Sequence, residues 1–187
     1  DKKIIRIIDL TKKRSILPVD AVIMAGGRGE RLRPLTDNIP KPLLKIGDKP
    51  ILEHNIDRLI SYGIDDFYIT TRYLGDKIAE YFGNGKSKGI NINYVNETVP
   101  SGTIGSLSLI KQFHKDPILV MNSDLLTTID YENFYKDFLE QKAEMAVATT
   151  PYNIDIPYAI LEVNKNRLYR SKKSQHIHII LMQVYIY

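Results

Sequence analysis

Residues 19–24, Val-Asp-Ala-Val-Ile-Met, form an apolar run that stops abruptly on Ala25-Gly26-Gly27-Arg28-Gly29. A short apolar run closed by glycine reads as a buried strand. The pattern returns along the chain. Ile51, Leu52, Ile56, Leu59 and Ile60 recur at helical spacing within residues 50–62, and Gly63 is placed to end that helix. Phe67 to Thr70 reads as a strand, Leu74 to Phe82 as a helix and Ile90 to Val95 as a strand. Ser101 to Phe113 reads as a helix, Pro117 to Met121 as a strand, and Tyr131 to Gln141 as a helix capped by Asp130. Glu144 to Thr150 and Tyr158 to Val163 are further strands, and Asp1 to Leu10 another before a basic linker. Strands alternating with helices predict an α/β fold, a Rossmann-like, mostly parallel sheet with helices on both faces. Ligands of such sheets bind beyond the carboxyl ends of the strands, so residues just after strands deserve the closest reading.

The loop after the first strand has three glycines in four positions, Gly26, Gly27 and Gly29. Glycine lets the backbone approach a ligand closely and turn its N–H groups toward phosphate or base. Arg28, Arg31 and Arg33 add planar, permanently charged donors. The spacing is neither the dinucleotide fingerprint nor the Walker loop. Further on, Pro40-Lys41-Pro42 locks a lysine between two prolines, a stiff setting that could hold an ammonium at a fixed point. Taken singly, each feature is also compatible with a solvated turn.

Together, the stretch from Ala25 to Pro42 resembles the signature of sugar-1-phosphate nucleotidylyltransferases, including the mannose-1-phosphate guanylyltransferase-like members. In that family Gly-Gly-x-Gly-x-Arg-Leu-x-Pro-Leu-Thr precedes Pro-Lys-Pro; here Glu30 stands where many members have threonine. The resemblance runs from about Val19 to about Val163 and implies the nucleotide-diphospho-sugar transferase fold. It implies that Ala25, Gly26, Gly27 and Gly29 hold the nucleotide, Arg31 the triphosphate and Lys41 the pyrophosphate moiety. After the strand ending at Val95, Glu97 through Gly105 resembles the family's base-contacting Glu-x-x-Pro-x-Gly-Thr-x-Gly stretch, with Gly102 and Thr103 beside the base. A carboxylate at Glu97 can accept from guanine N1–H and N2–H₂, whereas uracil or thymine is better met by an amide, so GTP is favoured. Asp124, just past the fourth buried strand, aligns with a metal-ligand Asp and is assigned to Mg²⁺.

The implied reaction is in-line attack of a sugar 1-phosphate oxygen on the α-phosphorus with loss of pyrophosphate. It needs positioning and charge neutralisation rather than a side-chain nucleophile. His54 and His114 have no role in it. Two alternatives remain open. A nucleotide-sugar-dependent glycosyltransferase would usually carry Asp-x-Asp where this chain has Asn122-Ser123-Asp124. A non-catalytic nucleotide-binding module of the same fold would have no need of Lys41 and Asp124. The sugar is undetermined.

A net charge of +4 over 187 residues suits anionic small molecules without requiring nucleic acid. The absence of cysteine excludes disulfides and thiolate metal sites. No apolar run is long enough for a bilayer, so no membrane association is expected and a cytoplasmic location is the default. Residues 1–17 read as the tail or linker of an upstream domain, 18–170 as a truncated nucleotidylyltransferase domain, and 171–187 as an aberrant tail. Plausible codons for that tail, read one base out of frame, spell Lys-Lys-Pro followed by Asn-Ala-Gly-Ile-Tyr. The family has Glu-Lys-Pro and then Asn-x-Gly-Ile-Tyr there, so a frameshift near Lys172 is expected, leaving a chain that binds nucleotide but turns over poorly. Tyr158-Ala159 stands where the family has a Tyr-Gly pair facing the sugar. The apolar, β-prone tail would favour association, leaving a homo-oligomer open.

Overall fold

In the computed structural model, residues 16–99, 102 and 104–149 are described with their side chains, and residues 150–187 through their backbone strands alone. The elements in chain order are β1 (Asp20–Met24), β2 (Lys45–Ile46), β3 (Lys49–Pro50), α1 (Ile51–Ser61), β4 (Asp66–Thr71) and α2 (Gly75–Phe82). Then come β5 (Asn91–Asn96), β6 (Ile118–Asn122), α3 (Tyr131–Glu140), β7 (Ala146–Ile156), β8 (Ile160–Asn164), β9 (Arg167–Lys172) and β10 (Gln175–Ile186). The chain divides into two compact units, residues 1–146 with 185–187, and residues 147–184.

In the first unit β5, β4, β1 and β6 lie side by side in that order and run parallel. The chain crosses from β1 outward to β4 and β5, then returns to place β6 on the other flank of β1. That reversal is the topological switch point at which open α/β sheets bind ligands. The central strands are apolar almost throughout because both their faces are covered. Ala21, Val22, Ile23, Phe67, Ile69 and Val120 are all fully buried. Leu52, Ile56 and Leu59 of α1 and Ile78 of α2, spaced to share one face of each helix, are equally buried.

The amino edge of this sheet is tied by charge. Asp20, fully buried at the start of β1, accepts the backbone N–H groups of His114 and Lys115 at 2.6 and 3.2 Å. The Lys115 ammonium bonds Asp65 and Asp66 at 2.6 and 2.5 Å. Burial alone would pull this ammonium down, but the two carboxylates outweigh it and raise its pKa. The helix expected over 101–113 is not what the described residues of that stretch form. Among the described residues of that stretch a short 3-10 turn forms, at Gly105–Leu109. The residues after it are drawn into extended chain, where Gln112 O accepts from the Tyr68 hydroxyl at 2.9 Å and Asp20 holds His114 and Lys115. Gly102 and Gly105 also lower the helical propensity of the stretch.

The other elements lie within two residues of their expected starts, except that the strand expected at 144–150 runs to Ile156. Asp130 caps α3, its Oδ1 accepting from Glu132 N at 3.0 Å and Asn133 N at 3.2 Å. In the second unit β8 and β9 pair antiparallel, from Ile160 against Lys172 to Asn164 against Arg167. The expected strand at 1–10, Tyr158-Ala159 and Thr103 lie outside the described residues. Among the described residues, no helix is long and apolar enough to cross a membrane.

Candidate active site

A cavity of about 670 Å³ opens at the carboxyl edge of the four parallel strands. Residues that follow β1, β4, β5 and β6 line it, as do Lys41 and Pro42. Sheet-like hydrogen bonding carries each strand one residue into the site. Ala25 N–H donates to Thr70 O at 2.8 Å, Ser123 N–H to Met24 O at 3.0 Å, and Glu97 N–H to Thr71 O at 2.8 Å. The loops therefore leave a rigid edge.

Of the nucleotide-binding residues expected from sequence, Ala25, Gly26, Gly27, Gly29, Glu97 and Gly102 all line this cavity. Ala25 is buried and its N–H already belongs to the sheet, so it has no free donor for a ligand. The next four N–H groups, from Gly26 to Gly29, have no backbone acceptor among the described residues. Consecutive free donors at a strand end suit phosphate oxygens. Gly29 has φ +65°, and a Cβ there would lie 3.0 Å from Thr36 Cγ2 and 3.1 Å from Lys41 Cβ. Its carbonyl accepts from the buried Thr36 hydroxyl at 2.9 Å. The glycine loop and the Pro-Lys-Pro loop thus pack directly on each other at Gly29. Gly102 also sits at positive φ, +79°.

Lys41 opens a one-turn 3-10 segment, Lys41–Leu43, with Pro40 before it and Pro42 within it. Its ammonium bonds Asp124 Oδ2 directly, with both side chains about one-third exposed at 31% and 32%. Two residues 83 positions apart, given separate roles by sequence, therefore meet. Asp124 is held from below: buried Asn55 of α1 donates its amide to Ser123 O at 3.1 Å. Arg31 lines the cavity with an exposed side chain. Arg28 lies over the Tyr73 ring at 5.8 Å, and the Tyr73 hydroxyl holds Asp37 O at 2.8 Å. The loop carrying the arginines is therefore buttressed from β4. His54 is bonded to Ile46 O at 2.8 Å and His114 lies at the amino edge, so neither reaches the site.

Arg72, immediately after β4, also lines the cavity and had no role in the sequence reading. The available signal was its position one residue past a buried strand. Among the described residues, no cluster of three or more acidic or histidine side chains forms a ready-made metal cage.

A family profile described as nucleotidyl transferase matches residues 20–170. The chain is 31% identical over 169 residues to bifunctional protein GlmU of Methanocaldococcus jannaschii, covering 90% of this chain and 39% of that protein. It is 35% identical over 150 residues to the N-acetylmuramate alpha-1-phosphate uridylyltransferase of Neisseria meningitidis, covering 75% and 64%. It is 35% identical over 136 residues to the D-glycero-alpha-D-manno-heptose 1-phosphate guanylyltransferase of Aneurinibacillus thermoaerophilus, covering 71% and 58%. The chain thus spans less than two-thirds of these relatives' length. Two crystal structures of HddC from Yersinia pseudotuberculosis superpose with TM-scores of 0.67 and 0.62, at 24% and 25% identity, covering 90% of this chain and 76% of each. With its glycine loop, Lys41 and Asp124 gathered at the switch point of a parallel sheet, and a family match across most of its length, the chain belongs to the nucleotidyl transferase family, alongside sugar-1-phosphate uridylyl- and guanylyltransferases.

Proposed function

We propose that this domain binds a nucleoside triphosphate, with GTP preferred, for transfer of its nucleotidyl group to a sugar 1-phosphate. A sugar-phosphate oxygen would attack the α-phosphorus, the bond to the bridging oxygen would break, and pyrophosphate would leave. The observation that carries the reading is the meeting of Lys41 and Asp124 beside the free N–H groups of Gly26 to Gly29. Lys41 is the cation for the leaving pyrophosphate, Arg31 reaches the triphosphate, and the glycine N–H groups fix the phosphates in line.

Asp124 would hold Mg²⁺. One carboxylate with the remaining positions taken by phosphate and water oxygens is the usual way this ion binds, and a single accessible Asp at the cavity wall fits it. When bound, the metal supplies further charge neutralisation at the phosphates. GTP is preferred because Glu97 lines the cavity with a carboxylate, the acceptor that guanine N1–H and N2–H₂ require. One HddC structure of 25% identity contains GMP-PN, which is consistent with this preference.

The tail, residues 171–187, is the product of a frameshift near Lys172 in this reading, so the sugar half-site is altered and turnover is poor. A cytoplasmic location and a homo-oligomer remain parts of the same proposal. Thermal shift with GTP, ATP, UTP, CTP and dTTP in the presence of Mg²⁺ tests the nucleotide preference. A larger shift with UTP or dTTP than with GTP would overturn it. Pyrophosphate release with mannose 1-phosphate or an amino-sugar phosphate, at a rate near that of an intact relative, would overturn the impairment. An unbroken reading frame for residues 171–187 at the source locus would remove the frameshift.

A further inference from the structure

Three residues form one row across the carboxyl edge of the sheet. Met24 pairs with Thr70 and Thr71 with Asn96, and the bonds Ala25 N–H to Thr70 O and Glu97 N–H to Thr71 O continue that register outward. Gly26, Arg72 and Glu97 therefore stand next to one another, just past the ends of β1, β4 and β5 in turn, and all three line the cavity. The row is tight. A Cβ added at Gly26 would lie 3.0 Å from Glu97 Oε1 and 3.6 Å from Arg72 Cβ. The Glu97 carboxylate thus reaches back across the end of β4, past Arg72, to the backbone of the glycine loop.

The backbone at Arg72 is held from both sides. Thr71 before it is buried and paired, and Gly75 after it packs so closely that a Cβ would meet Thr71 Oγ1 at 2.7 Å. Between them the Tyr73 hydroxyl bonds Asp37 O and, at 3.3 Å, Thr36 O. Yet neither the Arg72 guanidinium nor the Glu97 carboxylate has a hydrogen-bond or ion-pair partner among the described residues. A cation and an anion on adjacent backbone positions at one end of the cavity, neither with a partner among the described residues, are both available to a ligand.

Resting on the guanine reading above, we propose that Arg72 is a second base-reading residue, donating to guanine O6 and N7 while Glu97 accepts from N1–H and N2–H₂. Around the guanine ring two acceptors, N7 and O6, are followed directly by two donors, N1–H and N2–H₂. A guanidinium beside a carboxylate on neighbouring strands presents the complementary order, and the planar fork of arginine matches O6 and N7 in particular. The pair also rejects other bases. Adenine would turn an amine toward the guanidinium, and uracil offers one N–H between two carbonyls.

The test is titration calorimetry on the 187-residue chain with Mg²⁺ and GTP, 7-deaza-GTP, inosine triphosphate or UTP, for the wild type, Arg72→Lys and Arg72→Gln. The wild type should bind 7-deaza-GTP, which lacks the N7 acceptor, about 10-fold more weakly than GTP. That deficit should disappear in Arg72→Gln, while the weaker binding of inosine triphosphate, which lacks the N2 amine, persists. Equal binding of GTP and 7-deaza-GTP by the wild type would overturn the proposal without any variant. So would a uniform loss for all nucleotides in both variants, the signature of a phosphate contact. A wild-type preference for UTP would instead remove the guanine reading itself, so the two failures are distinguishable.

Discussion

Replacing Gly26 with alanine should separate folding from recognition. The added Cβ would sit 3.0 Å from Glu97 Oε1, 3.5 Å from its Cδ and 3.6 Å from Arg72 Cβ. Only the first contact is too close, and it falls on the free end of a flexible side chain. A rotation moving the oxygen by a few tenths of an ångström relieves it. Gly26 is not in the left-handed region, so alanine meets no backbone penalty there. Such a Gly→Ala change stabilises by about 0.4–1 kcal/mol through the unfolded chain. That gain and the small side-chain shift should nearly cancel, leaving Tm within about 2 °C of wild type. Recognition should suffer more. The methyl group fills the space beside the carboxylate and turns it away from the base, and misaligning such a charged acceptor costs about 1.4 kcal/mol or more, a factor of about 10 in Kd. The assay is calorimetric titration of Mg-GTP and Mg-UTP beside a thermal melt. Unchanged GTP affinity would show that Glu97 does not read the base. A melt lowered by about 5 °C or more would show that Gly26 is required for folding instead.

Gly29→Ala should behave in the opposite way: φ +65° and contacts with Thr36 and Lys41 make the change cost about 1–3 kcal/mol in urea unfolding, and a loss below about 0.5 kcal/mol would contradict the packing. Asp124→Asn removes an ion pair that is one-third exposed, so stability should move by less than about 1 kcal/mol. The Mg²⁺-dependent part of GTP binding, measured against EDTA, should vanish in the same variant. Asn55→Ala leaves the Ser123 carbonyl without its buried donor and should cost about 1–3 kcal/mol by urea titration. Acid should weaken the fold through Glu53 and Asp57: burial pushes both carboxyls up, but hydrogen bonds from Lys88 to both, with Tyr81 on Glu53 and Lys49 on Asp57, hold them below their ordinary values. Carboxyls with depressed pKa stabilise the fold above their unfolded values of 4.5 and 3.8, and lose that contribution as pH falls through the lower folded values. Thermal melts should therefore be flat from about pH 6 to 5 and fall below about pH 4.5, with a shallower fall in Lys88→Met.

The parallel sheet was legible because its central strands are buried on both faces, which leaves an uninterrupted apolar signature at 19–24 and 117–121. The residues proposed for the phosphate end stood out because glycines, paired prolines and a lysine have strong local preferences, and they line one cavity. Asp130 could be read as a cap from its position alone. What escaped was set by contacts distant in sequence. Beside the helix expected at 101–113, the chain leaves in a direction held by Asp20, which takes the N–H of His114 from 94 positions away. Nothing in the local sequence announces such a partner. Arg72 escaped for a similar reason: an arginine after a strand looks solvated until the register places it between Gly26 and Glu97. The pairing of Lys41 with Asp124 spans 83 positions and was equally invisible, although each residue had been singled out.

That pairing bears on how the site takes up its ligand. In the proposed site, the ion pair between Lys41 and Asp124 would have to open before Lys41 could neutralise a phosphate or Asp124 could serve a metal ion. In the proposed reaction both charges would be needed at the same moment, when a nucleotide arrives with its cation. On that proposal the exchange would be one for one: Asp124 would give up an ammonium for a metal ion, and Lys41 would give up a carboxylate for a phosphate oxygen. No charge is left uncompensated, and because the pair is one-third exposed, its opening costs only about 1 kcal/mol or less. The base end works differently. Arg72 and Glu97 are neighbours with no partner among the described residues, so a base bound as proposed would have no ion pair to break there. A ligand with phosphates and the wrong base would still trigger the exchange at Lys41 and Asp124. Under the proposed base reading, selectivity would come from the row of Gly26, Arg72 and Glu97, and substitutions there should change which nucleotide binds more than whether one binds.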